Sequence, residues 1–185
     1  MHFPLHPETP ADGMTLDALF GARGGDPAER QKEQVQRQGR MKALMTAEGL
    51  PYGERTHTYN SRLAQELGAW ADSLAADSLG TEGAEGFGAL HDALFKAYFV
   101  QGRNIGDIDT LVEIAESVGL DGTQARKVLN DRLFKKQVDA DWAKARAYGV
   151  TGVPTFVAGG MGVVGAQPYE VLQSLMKEAK AETRG

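Results

Sequence analysis

The chain has 185 residues, 42% of them apolar and 24% charged, and a net charge of −5. These values fit a globular protein of one domain, or of one domain carrying a large insertion. The acidic balance argues against a nucleic-acid surface and no apolar run approaches the roughly 20 residues that span a bilayer. The absence of cysteine removes disulfides, thiolate metal sites and cysteine nucleophiles together.

Met1–Pro10 holds three prolines and no apolar core. It is no signal peptide, and a cytoplasmic location is expected. It reads as the end of a strand running into an extended loop. Thr15 can cap a short helix through Phe20, and Gly21–Gly25 reads as a flexible break. Asp26-Pro27-Ala28-Glu29 is a strong helix start, with Asp at the N-cap, Pro at the first position and Glu at the third. That helix is expected to reach about Glu48, with Gly49 as its stop. Its apolar stripe is thin, and Arg30–Gln38 is almost wholly polar.

Pro51-Tyr52-Gly53 predicts a turn, and Asn60 can cap a helix from Ser61 to about Ala76. Leu63, Leu67, Trp70, Ala71 and Leu74 share one face of it. Asp77–Gly86 reads as a loop. Phe87–Val100 predicts the most apolar helix, with Leu90, Leu94, Phe95, Tyr98 and Phe99 at the centre of a helical core. Asp107 or Asp109 starts the next helix, which Gly119 stops. Asp121 caps another, carrying Ala125, Val128 and Leu129. A break near Asn130–Leu133 leads to a helix over Phe134–Tyr148, closed by Gly149.

A different pattern follows. Gly149-Val150-Thr151-Gly152-Val153-Pro154-Thr155-Phe156-Val157 passes from a helix stop to a β-branched, apolar run with a proline at its mouth. Proline has no N–H and fits a strand only at its start or edge. The spacing predicts a strand over Thr155–Ala158, a turn at Gly159-Gly160 and a partner strand over Met161–Val164. A last helix follows, from Pro168 to about Glu182, carrying Tyr169, Leu172, Leu175, Met176 and Ala179 at helical spacing.

Helix, Val-Pro, strand, turn, strand, helix resembles the C-terminal half of a thioredoxin fold. Gly152-Val153-Pro154-Thr155-Phe156 looks like the cis-proline loop of the DsbA family. Phe3, Leu5 and Pro7 match the end of the second thioredoxin strand in its FrnE-like branch. Tyr59–Ala64, Leu94–Phe99, Asn104–Asp107 and Glu116–Asp121 resemble stretches of the helical domain that this family inserts between its second and third strands. The resemblance covers nearly the whole chain. It implies an α/β, thioredoxin-like fold with a large helical insertion, mostly helical as written, whose N-terminal βα unit is missing. The expected divisions are 1–10 (strand end and linker), 11–133 (inserted helical domain) and 134–185 (C-terminal thioredoxin half).

The resemblance also implies a thiol–disulfide oxidoreductase. In that family the residue before the proline offers its backbone to an extended substrate beside a Cys-x-x-Cys pair. The implied substrate-binding residues are therefore Gly152, Val153 and Pro154, and the implied partner is a thiol or disulfide protein or peptide. The dithiol is absent, so no catalytic residue is assigned and the chain is expected to be redox-inactive. An N-terminal truncation is the favoured explanation; a redox-dead binding module and a glutathione-linked isomerase of the same fold are the alternatives. An open edge beside Thr155–Ala158 is expected to invite self-association.

No cofactor or metal is expected. Of the four histidines, the internal His57 and His91 share no i, i+4 spacing and no carboxylate cluster joins them, while His2 and His6 lie at the terminus. Ser61 and Ser78 lack the setting of a nucleophile. Asn60, a residue of interest because of the isomerase alternative, has a sufficient role as a helix cap.

Overall fold

A computed structural model describes residues 1–21, 26–77 and 85–181. The elements, in chain order, are β1 (Met14–Thr15), α1 (Leu16–Gly21), α2 (Pro27–Ala47), β2 (His57–Thr58), α3 (Arg62–Asp77), α4 (Glu85–Phe99), α5 (Ile108–Ser117), α6 (Gly122–Asn130), α7 (Lys135–Ala147), β3 (Thr155–Ala158), β4 (Met161–Val164) and α8 (Tyr169–Glu178). They fall into two compact units, one of residues 6–138 and one of residues 1–5 with 139–185.

The larger unit is helical. Its helices begin where short acidic side chains can satisfy the first backbone donors. Asp26, Asp107 and Asp121 each accept a hydrogen bond from an N–H in the first turn of α2, α5 and α6. Gly49 and Gly119 follow α2 and α5 at positive φ, where a side chain would be strained. The core joins α3, α4, α5 and α6 through Leu67, Trp70, Leu90, Leu94, Leu111 and Leu129. Tyr98 packs at its margin.

Phe95 departs from the expected core and is 61% exposed. Leu90, Leu94, Ala97 and Tyr98 run along one face of α4, whereas Phe95 lies about 100° round the helix from Leu94. The element that could cover it, α2, does not pack against α4 among the described residues. Phe95 stacks instead on Phe99, one turn further on, with ring centroids 6.2 Å apart.

Residues 1–10 form no strand, which corrects the reading of Phe3, Leu5 and Pro7 as a strand end. Pro4, Pro7 and Pro10 remove ladder donors. Short-range hydrogen bonds, from Leu5 N–H to the Phe3 carbonyl and from Thr9 N–H to the His6 carbonyl, turn the segment on itself. Two amide side chains then hold the stretch that follows. Asn60 Nδ2 donates to the Pro7 and Thr9 carbonyls at 3.1 and 2.9 Å, and Asn104 Nδ2 donates to the Ala11 carbonyl at 3.0 Å. The two-residue antiparallel pair of β1 and β2, with Met14 opposite Thr58, has no signal in the sequence pattern.

The smaller unit is the end of α7, the β3–β4 hairpin and α8. Gly159 and Gly160 turn the hairpin at positive φ, as their place between two β-rich runs requires. The register pairs Thr155 with Val164 and Ala158 with Met161. Helix α8 packs on both strands, but it stops at Glu178, short of the expected Glu182. Lys180, at φ 52, donates its N–H to the Lys177 carbonyl and closes the last turn. Leu175 is the buried residue of α8, while Tyr169 and Met176 face solvent. His2 belongs to this unit, and its backbone N–H donates to Asp141 Oδ2 at 2.9 Å. The expected break at Gly21–Gly25, beyond its first residue, and most of the Asp77–Gly86 loop lie outside the described residues; Glu85 and Gly86 already belong to α4.

Candidate functional site

The loop from Gly149 to Pro154 feeds β3. Gly149 ends α7 at φ 66, and the Val150 N–H turns back to the Ala145 carbonyl. The Val153–Pro154 peptide bond is cis. The Thr155 hydroxyl donates to the Gly152 carbonyl at 2.6 Å and fixes the loop against the strand. The Gly165 N–H donates to the Pro154 carbonyl at 2.8 Å.

That last bond sets the orientation of the strand. Backbone groups along an antiparallel pair alternate between the partner and the opposite side. With Pro154 bonded across to Gly165, Phe156 and Ala158 also face β4. Thr155 and Val157 then direct their backbone groups to the outer edge of β3. Among the described residues no strand pairs with that edge. Val153 is 51% exposed, and Pro154 beside it is exposed too. Gly152 is half-buried. Phe156, Val157 and Val164 are exposed on the same hairpin.

The chemistry of this surface is set by what it lacks. Residues 149–168 contain no Asp, Glu, Lys, Arg, His, Tyr or Cys. No side chain there ionises near neutral pH, and of its two hydroxyls that of Thr155 is spent on the Gly152 carbonyl. The surface can offer main-chain hydrogen bonds and apolar contact, which is the chemistry of strand addition.

The other candidate residues are engaged structurally. Asn60 accepts from the Arg62 N–H at 3.0 Å through Oδ1, and both its amide hydrogens go to the Pro7 and Thr9 carbonyls. It has no hydrogen left for a ligand, which removes the main support for an isomerase reading. His57 Nδ1 lies 2.9 Å from the Thr56 hydroxyl. His91 Nε2 lies 2.8 Å from Asp72 Oδ1. His2 Nδ1 lies 2.8 Å from Asp141 Oδ2. Burial pushes the Asp141 carboxyl up, but the bonds from the His2 backbone and ring and the charge of the chain N-terminus outweigh it and hold it below the usual carboxylate range. Among the described residues no group of three or more His, Asp or Glu could hold a metal ion. Ser61 Oγ accepts from the Gln65 side-chain amide at 3.0 Å. Ser78 lies outside the described residues.

One charged group escaped the sequence reading. Glu66 is fully buried on α3. Its Oε1 accepts from Arg62 Nε and Arg132 Nη2, both at 2.6 Å, and its Oε2 accepts from Arg132 Nε at 2.8 Å. Burial pushes the carboxyl up, and the two guanidiniums overcome that and hold it below the usual range. A buried carboxylate saturated by arginines ties α3 to the turn after α6 and is unsuited to proton transfer. The available signal was Arg62 and Glu66 at i, i+4, which does not reveal Arg132.

Comparison with known proteins gives this architecture a family. A family model described as DSBA-like thioredoxin domain matches residues 1–177. The chain is also 36% identical over 88 residues to an uncharacterized protein, YwbO, of Bacillus subtilis (strain 168). That match covers 46% of this chain and 43% of YwbO, so it spans less than half the length of either protein. The chain belongs to the DSBA-like thioredoxin domain family.

Proposed function

We propose that this member of the DSBA-like thioredoxin family is a FrnE-like binding module for extended, cysteine-bearing polypeptides, and that its own residues perform no thiol–disulfide exchange. The observation that carries the reading is the outer edge of β3, which lacks a partner strand among the described residues and carries the backbone groups of Thr155 and Val157, with the exposed Val153 just before it. An extended chain laid along Gly152-Val153-Pro154 and β3 would continue the sheet. Each main-chain bond contributes about 0.5–1.5 kcal/mol net. Affinity therefore depends on apolar side chains of the client resting on Val153, Val157 and Phe156. The client class follows from the family, whose chemistry concerns thiols. Exchange itself requires a thiolate nucleophile, and the chain has no cysteine.

The test is a titration of isotopically labelled protein with an unfolded, reduced and alkylated cysteine peptide, followed by amide chemical shifts. Shifts are expected at Val153, Thr155 and Val157. Val157→Pro removes a donor from the outer edge while leaving the bonds to β4, so it should abolish those shifts. Binding unaffected by Val157→Pro, or shifts confined to the helical unit, would overturn the proposal. A peptide-independent loss of those signals on concentration would show instead that the edge pairs with a second copy.

A further inference from the structure

We infer, building on the strand-addition reading, that Gln167 closes the second edge of the β3–β4 hairpin and so confines an extended client to β3. A two-stranded sheet has two outer edges. The register pairs Phe156 with Val163 and Ala158 with Met161, and the Gly165 N–H bonds across to Pro154. Met161, Val163 and Gly165 therefore face β3. By the same alternation Gly162 and Val164 turn their backbone groups to the outer edge of β4. Among the described residues no strand pairs with that edge either.

The two edges differ in one bond. Gln167 Nε2 donates to the Val164 carbonyl at 2.6 Å. The donor stands three residues on, and the turn between them brings it back. Gly165 takes φ 93 there, where a side chain would be strained. A Cβ on Gly165 would stand 3.7 Å from Gln167 Nε2, so the amide lies against this turn. Pro168 follows at once and holds the Gln167 backbone extended. On β3 the Thr155 hydroxyl bonds back to Gly152, and no side chain among the described residues bonds to the backbone of Thr155 or Val157.

Sheet edges are ordinarily guarded by charge, proline, a bulge or cover. Residues 149–168 hold no charged side chain, and β4 holds no proline. Gly162 and Val164 are both exposed, so burial does not shield them. The Gln167 amide occupies the carbonyl that an added strand would need. Gly162, the other outward residue of β4, has no side chain for a client to rest on, whereas β3 offers Val157. A hairpin open on both edges would join two unfolded chains through one sheet. With Val164 closed it takes one.

The experiment titrates the whole labelled chain with the same reduced and alkylated peptide, as wild type, Gln167→Met and Gln167→Ala, each read against its own peptide-free spectrum. Methionine keeps the length and removes the donor, and alanine removes the side chain; the far-UV circular dichroism should not change. In the wild type, amide shifts are expected at Thr155 and Val157 and not at Gly162 and Val164, with one peptide bound per chain. Either substitution should add shifts at Gly162 and Val164 and raise the stoichiometry to two. Shifts that stay on β3 in both variants overturn the closure by Gln167 and leave the strand-addition reading standing. Wild-type shifts on both edges overturn the closure as well. Shifts at Gly162 and Val164 in the variants alone, with none on β3 in any protein, uphold the closure and overturn the β3 reading. No shift on either edge in all three proteins overturns both.

Discussion

Replacing Glu66 by alanine removes three charge-assisted hydrogen bonds at once and takes the carboxylate from two guanidiniums, of which Arg62 keeps its bond to the Lys135 carbonyl. Their environments decide the cost. The Arg62 side chain is 14% exposed and would retain a largely buried charge, whereas Arg132 is 39% exposed and can turn toward water. Removing one partner of a buried ion pair costs about 3–5 kcal/mol, and the exposure of Arg132 selects the lower end, about 3 kcal/mol. At this chain length that lowers the melting temperature by roughly 6–12 °C. Urea unfolding followed by far-UV circular dichroism measures it. Acid provides an independent check through Glu66→Gln, which keeps the shape and removes the charge. The folded-state pKa of Glu66 is depressed, so the unfolded chain binds the extra proton. The stabilisation is therefore complete above the unfolded value, about 4.3, and is lost as pH falls through the folded value. The gap between wild type and Glu66→Gln should be widest near neutrality and shrink in acid. A loss below about 1 kcal/mol for Glu66→Ala, or a gap independent of pH, would refute the reasoning.

Leu94, buried on the inner face of α4, should cost about 2–5 kcal/mol when truncated to alanine; a loss near zero in urea unfolding would place that face at the surface. Gly53 accepts no side chain, because a Cβ there would overlap the Val100 carbonyl. Gly53→Ala should destabilise by about 1–3 kcal/mol, and an unchanged melting temperature would show that the segment, which forms no turn at 51–53 despite the expectation, yields easily. In an insulin-reduction assay with dithiothreitol the chain should add nothing to the uncatalysed rate, and any acceleration would contradict the requirement for a thiolate.

The legible parts of this chain share a local cause. Asp26, Asp121 and Gly49 act within one turn of where they stand, so their roles follow from neighbouring residues alone. The β3–β4 hairpin was equally readable, because Pro154, Gly159 and Gly160 bracket two short apolar runs. What failed depended on a distant partner. Phe95 has the spacing of a core residue, and its exposure follows from where α2 lies. Glu66 carries an ordinary surface letter and is buried because Arg132 arrives from elsewhere in the chain. Phe3 and Leu5 fit a family pattern, but three prolines leave them outside any strand among the described residues. At the candidate site Gly152, Val153 and Pro154 were identifiable by type. Which backbone groups of β3 face outward came only from the register with β4.

The two asparagine struts have a kinetic consequence. The bonds from Asn60 to Pro7 and Thr9 span 53 and 51 residues, and the bond from Asn104 to Ala11 spans 93. Closing loops of that length carries an entropic cost that must be met before the contact returns anything. Helices α3 and α4, around Leu67 and Leu90, close a shorter loop than these bonds and are expected to pair first, whereas the Glu66–Arg132 bonds of the same unit span 66 residues. The segment after His6 is then expected to act as a clasp on the α3–α4 pair. Interactions that form after the folding barrier leave the forward rate unchanged and slow escape from the native state. Two amide side chains at the edge of the helical unit therefore govern how long the native fold persists more than how quickly it is reached.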